Sequence, residues 1–132
     1  MSESGVQQLI AEIAESFGGR IDEYLARYAD PVVIAGPDST LALDHEAASG
    51  MFDQMRSHLR EQGLDRTEVR AASVTMLGAD MALANVSLDR LRSDGSLLES
   101  VQAAYLCRRR AGRWLVVALA PYSPLVAPSV DE

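Results

Sequence analysis

Lysine is absent from this chain, asparagine occurs once (Asn85), cysteine once (Cys107) and histidine twice. A single cysteine excludes an intrachain disulfide and any cysteine-based zinc site. His45 and His58 lie thirteen residues apart on one expected helix. That spacing sets them roughly 20 Å apart and excludes a shared metal ion. Long apolar runs are missing too, and nothing approaches the ~20 residues that a membrane-spanning helix needs. The opening Met1–Gly5 has no basic segment leading into an apolar run, so no secretory signal is expected. These absences predict a cytoplasmic protein with no membrane partner. The joint loss of lysine and asparagine is a codon signature of a GC-rich genome and predicts a bacterial source. With arginine as the only strong base, bidentate ion pairs are favoured on the surface.

The chain has 132 residues, 48% of them hydrophobic, and a formal net charge of −7. That length fits one domain, expected over residues 1–124, with an irregular tail over 125–132. The acidic balance argues against nucleic acid, whose affinity comes mainly from neutralised phosphates.

The first half carries helical periodicity. Val6, Leu9, Ile10, Ile13 and Phe17 share one face, with Ser4 as the expected N-cap and Gly18-Gly19 as the stop. Ile21, Tyr24, Leu25 and Tyr28 form a second short stripe, ended by Asp30-Pro31. Pro31 to Leu43 reads as an edge strand or hairpin around Gly36-Pro37-Asp38. Asp44 then caps a third helix burying Ala48, Met51, Phe52, Met55 and Leu59, with a left-handed residue expected at Gly63. Gly50 inside that helix predicts a close contact, because glycine there costs about 1 kcal/mol relative to alanine.

The second half alternates as strands: Thr67 to Leu77, Asp80 to Leu91, Leu97 to Arg109 and Trp114 to Ala120. Asp94-Gly95 is a strong hairpin signal and sets Arg90 opposite Glu99 and Leu88 opposite Val101. One face then carries Ala82, Ala84, Val86, Leu88, Val101, Ala103, Tyr105 and Cys107. The other carries Asn85, Ser87, Asp89, Ser100 and Gln102. Continued through Ala111-Gly112, the pattern puts Trp114, Val116 and Ala118 with Tyr105, and Leu115, Val117 and Leu119 on the opposite side. A strand apolar on both faces predicts a homodimer packed sheet to sheet. From Pro121 onward the chain is expected to be irregular.

Helices followed by a long antiparallel meander, with ARYADP after the second helix and RRRAGRW before LVVALA, resemble the nuclear-transport-factor-like, SnoaL-like superfamily. The resemblance implies a cystatin-like α+β cone: N-terminal helices packed in the concave face of a curved, mostly antiparallel sheet. It also implies a pocket at the open end and a dimer formed through the sheet. Members include isomerases, cyclases, dehydratases and non-enzymes, so fold does not choose function.

In such enzymes a pocket carboxylate or histidine works with a tyrosine on an apolar substrate. The stretch expected to bear the acid is Val32-Val33-Ile34-Ala35, which has none. Asp30 and Asp38 flank it as capping and turn residues. Tyr28, with Asp38 or Asp89, is the remaining catalytic set, and Tyr24, Tyr28, Phe52, Tyr105 and Trp114 are the candidate pocket lining. Both histidines read as surface residues, and Cys107 as a buried, inert thiol. The arginines Arg108, Arg109, Arg110 and Arg113 read as a solvated hairpin tip. No cofactor is implied. Three functions stay open: a dimeric pocket domain binding a small apolar molecule without catalysis, a small-molecule isomerase, dehydratase or cyclase, and a dimerisation module with no ligand.

Overall fold

The computed structural model describes residues 2–122. The expected tail over 125–132 lies outside them. Three helices, α1 (Ser2–Ser16), α2 (Ile21–Leu25) and α3 (His45–Glu61), accompany six strands. These are β1 (Tyr28–Ala35), β2 (Thr40–Leu43), β3 (Leu64–Met76), β4 (Met81–Arg92), β5 (Leu97–Arg110) and β6 (Arg113–Tyr122). They form one curved sheet in the order β2-β1-β6-β5-β4-β3, antiparallel except where β1 runs parallel to β6. The α+β architecture expected from the sequence is the one observed. Among the described residues no helix is long and apolar enough to cross a membrane.

The core is the concave side. Helix α1 packs mainly on β3 and also on β4 and β6, and its Val6, Leu9, Ile10 and Ile13 share one buried core with Ala82, Ala84, Val86 and Leu88 of β4 and Ala103, Tyr105 and Cys107 of β5. The alanines let the helix approach the sheet closely. Where they run out, aromatic rings fill the space. Asp44 caps α3 as expected, its carboxylate accepting from the Ala47 N–H at 2.8 Å, and Gly63 after the helix has φ 108°. The helix α1 starts at Ser2, so Ser4 lies inside it rather than capping it.

Several local expectations fail for identifiable reasons. Tyr28 opens β1 instead of closing α2, because the sheet captures the chain there: the Val116 N–H donates to Arg27 O at 3.0 Å, and Tyr28 pairs with Val116. The Arg90–Glu99 register holds, yet the turn is three residues long, with Arg92 N–H donating to Ser96 O and Gly95 at φ 87°. An extra residue, Leu98, restores the register, which is the pattern of a type I turn with a bulge. In β6 a bulge at Val117 separates the Cys107–Val116 and Leu106–Ala118 pairs. Beyond it the faces exchange, so Leu119 packs against the core and Ala118 faces outward, opposite to the simple alternation. Pairing with β5 also carries β6 through Pro121 to Tyr122. Its parallel neighbour β1 stops at Leu119, and proline is tolerated where a strand has one neighbour.

Gly50 makes no close contact: a Cβ there would meet nothing within 4 Å. Gly5 is the glycine that does, since its Cβ would stand 2.9 Å from Cδ1 and Nε1 of Trp114. Gly50→Ala should therefore raise stability by about 0.5–1 kcal/mol in urea unfolding, through helix propensity alone. Gly5→Ala should lower it, by roughly the 1–3 kcal/mol typical of overpacking, with a change in Trp114 fluorescence.

Candidate functional site

The three helices and the sheet converge on an aromatic cluster under the concave face. Phe17 follows α1, Tyr24 lies on α2, Tyr28 on β1 and Phe52 on α3, and Tyr105 rises from β5. Tyr24 packs on Phe17 at 5.3 Å, on Tyr28 at 5.1 Å and on Phe52 at 5.2 Å between ring centroids. Each of these five rings is at most 5% exposed. Such offset and edge contacts add about 0.5–1.5 kcal/mol each beyond simple burial.

Inside the cluster the Tyr24 and Tyr28 hydroxyls share a hydrogen bond of 2.7 Å. Burial pushes the Tyr28 hydroxyl well above the ordinary phenol range, and the neighbouring tyrosines push it further. Burial also raises Tyr24 and Tyr105, with the nearby Arg90 charge opposing it in both. Cys107, beside them, is pushed up to about 12 by desolvation. The cluster therefore presents neutral hydroxyl donors and a protonated thiol, which fits the inert reading of that cysteine.

At the edge of this cluster one row crosses three strands: Thr67 of β3 pairs with Arg90 of β4, which pairs with Glu99 of β5. The alternation of Leu88 and Val101 places this row on the concave side. Arg90 lies over the Phe17 ring, 5.1 Å from its centroid, and is ion-paired to Glu99 through Nη1. Two buried polar atoms in the row have no partner, Thr67 Oγ1 and Arg90 Nε. A cleft of about 750 Å³ opens beside it between α1 and β3. Ala11, Ala14, Thr67 and Val69 line it, and Glu15, Asp65, Arg66 and Glu68 also border it. Of the residues with an unpartnered buried atom Thr67 alone lines this cleft; Arg27, Arg56 and Arg90, each with an unpartnered Nε, do not.

Buried Arg56 escaped the sequence reading, because its helical position lies beside the expected apolar stripe. Its Nη1 donates to Gly19 O and, at 3.4 Å, to Phe17 O, while Nη2 meets Asp53 at 3.0 Å. Arg60 adds a bond to Gly18 O at 2.7 Å. Together they close the carbonyl end of α1 and fix Phe17 in place. His45 likewise is half-buried rather than a surface residue, with Nε2 at 3.1 Å from both Tyr28 O and Ala29 O. Two carbonyls there require Nε2 to carry the proton. His58 is exposed, as expected.

The remaining candidates scatter. Asp38 is exposed in the turn between β1 and β2, and Asp89 is half-buried on the outer face, accepting from Ser100 Oγ at 2.8 Å. Neither shares a site with Tyr28. Trp114 is half-buried and lines a separate cleft of about 250 Å³ with Gly5, Gln8 and Arg27. Four clefts are described, and Tyr24, Tyr28, Phe52 and Tyr105 line none of them. Among the described residues no three acidic, histidine or cysteine side chains are grouped to hold a metal. Arg90, Glu99 and Thr67 were missed as site residues, although the hairpin register already placed Arg90 and Glu99 on the face of Leu88.

Residues 2–124 match a family described as NTF2-like protein (DUF6841). No curated protein matches the chain. An NTF2-like protein of unknown function from Shewanella oneidensis MR-1 is 13% identical with a TM-score of 0.76, covering 93% of this chain and 100% of that one. A cystatin-like-fold protein of unknown function from Nostoc punctiforme PCC 73102 is 17% identical with a TM-score of 0.75, over 94% and 95% of the two chains. An NTF2-like protein of unknown function from Pseudomonas putida KT2440 is 21% identical with a TM-score of 0.73, over 93% and 87%. At these identities the likeness shows the fold alone.

The buried tyrosines set the alkaline limit of stability. Their folded ionisation lies above the unfolded value near 10, so the unfolded state loses protons first as pH rises. Stability should be intact below about pH 10 and fall above it, by about 1.4 kcal/mol per pH unit for each such tyrosine. Lacking lysine, the chain offers a clean readout of this by tyrosinate absorbance alongside thermal unfolding. Tyr24→Phe, which removes one partner of the Tyr28 hydroxyl and leaves Tyr105 beside it, should cost about 0.5–1.5 kcal/mol at neutral pH and make the alkaline fall shallower.

Proposed function

Because the chain belongs to the NTF2-like family that spans residues 2–124, we propose that it works as a non-catalytic binding domain for a small, uncharged, largely apolar molecule. The molecule lies in the cleft between α1 and β3, its hydrocarbon against Ala11, Ala14 and Val69. Its polar end supplies the partner that Thr67 Oγ1 lacks. That unpartnered hydroxyl at the cleft is the observation that carries the reading, since a buried polar atom left unpaired costs about 1–3 kcal/mol. The acids beside the cleft, Glu15, Asp65 and Glu68 against one Arg66, disfavour an anion. Binding is favoured over proton transfer by the positions of the carboxylates. Glu99 is engaged by Arg90, Asp89 lies on the outer face, and Asp38 sits in a remote turn.

In the same reading two copies pair through the outer face of β4 and β5. Half-buried Leu83 and Ala104 there, beside the Gln102–Ser87 and Ser100–Asp89 hydrogen bonds, support that pairing.

Native mass spectrometry of the protein isolated from its natural source tests both statements. The expected result is a two-chain species that retains a neutral small molecule. Thr67→Val should lose the molecule while melting no lower than the parent protein, because it removes the unpaired hydroxyl. A ligand-free parent protein, or a variant that keeps the ligand, would contradict the binding reading. A one-chain mass at micromolar concentration would contradict the pairing.

A further inference from the structure

A second cleft, of about 570 Å³, lies on the opposite side of the sheet, between β1 and the β5–β6 hairpin. Two register breaks make it. The β1–β6 pairing is interrupted between Tyr28 and Val33, so that Ala29, Asp30 and Pro31 stand up as one wall. The bulge at Val117 in β6 sends Val117 and Ala118 together to the outer side. Bulges of this kind commonly re-aim side chains beside functional surfaces.

The floor is hydrocarbon: Val33, Leu106, Leu115, Val117 and Ala118. Its other end carries charge. Arg108 and Arg110, alternate residues of β5, both line the cleft. Arg109 between them turns the other way, bonding Asp80 and Ala79 O and lying 5.7 Å from the centre of the Trp114 ring. Arg108 and Arg110 are exposed, and beyond the backbone ladder of β5 the side chain of neither has an ion pair or hydrogen bond to any other described residue. The one acid in the lining, Asp30, instead accepts from the His45 backbone N–H at 3.2 Å. Two guanidinium groups with no partner among the described residues thus line one end of an apolar trough, on a chain of net charge −7. Keeping them close without a counter-charge is unfavourable, and a planar carboxylate matches their fork geometry.

We propose that this outer cleft binds a small monocarboxylate with a hydrocarbon body. The carboxylate is held between Arg108 and Arg110, and the chain runs along Leu115 and Val117 toward Leu106 and Val33. From Arg110 to Leu106 is four residues of strand, roughly 13 Å, which suits a medium-length acyl chain. The volume lies in the ordinary range for small-molecule sites, about 300–1,000 Å³. The site is independent of the cleft between α1 and β3 and selects the opposite ligand charge.

The test is calorimetric titration of the full chain with decanoate, with decanol as the uncharged control. Decanoate should bind saturably in the micromolar range, at least tenfold tighter than decanol, and should weaken as salt is raised. The doubly substituted Arg108→Gln, Arg110→Gln protein should lose about tenfold in decanoate affinity, with decanol binding and thermal stability unchanged. Val117→Asp, which places an acid in the floor, should abolish both. Equal affinity for acid and alcohol, no loss in the double variant, or no saturable binding would each overturn the proposal. So would decanoate titrating only as a two-chain species dissociates, because a second copy would then be the occupant.

Discussion

Everything on the concave side depends on how the sheet and three helices are held apart by one group of rings. Tyr24, Tyr28, Phe52 and Tyr105 come from four different elements and Phe17 from the turn after α1, and each contributes to the same buried volume. The alanines of β4 leave room for α1 on one side of the core, and the rings fill the space between α2, α3 and the sheet on the other. The Tyr24–Tyr28 hydrogen bond resolves the polar cost of that arrangement. The cluster is firm because its polar atoms are matched to each other and its charge is excluded. It is a poor place for a general base for the same reason.

Chemistry is therefore displaced from the middle of the cone to its margins. On the concave side the Thr67–Arg90–Glu99 row borders the cluster, where one hydroxyl and one guanidinium nitrogen remain without partners. On the outer side the two register breaks in β1 and β6 make a trough with a cationic end. The two margins are opposite in charge, one set beside acids and the other ended by arginines. With both ligands as proposed, a chain with no lysine carries two surfaces of different selectivity.

Much of the fold was legible because its signals were periodic. The α1 stripe, the Asp44 cap, and the inward row from Ala82 to Cys107 follow from spacing alone, and so does the Arg90–Glu99 register. The errors arose where one residue breaks a period. Val117 exchanges the two faces of β6, which no alternation rule can anticipate, and Tyr28 is claimed by sheet pairing from a distant strand. Arg56 and His45 were hidden by another limit: their partners are backbone carbonyls of Phe17, Gly19, Tyr28 and Ala29, and carbonyls have no sequence signature. The candidate pocket rings Tyr24, Tyr28, Phe52 and Tyr105 meet in a closed core rather than around a cleft, and Trp114 lies apart from them beside another cleft. The Arg90–Glu99 pair could have been found, since its place in the inward row was already fixed.

The central claim is that the concave side recognises a neutral molecule at its margin while the tyrosine cluster stays closed. A crystal structure of the protein isolated with its natural ligand measures this directly. The account predicts ligand density between α1 and β3, with a polar atom within hydrogen-bonding distance of Thr67 Oγ1, and the Tyr24–Tyr28 hydrogen bond intact. Density inserted between Tyr24 and Tyr28, with a carboxylate brought against their hydroxyls, would contradict it.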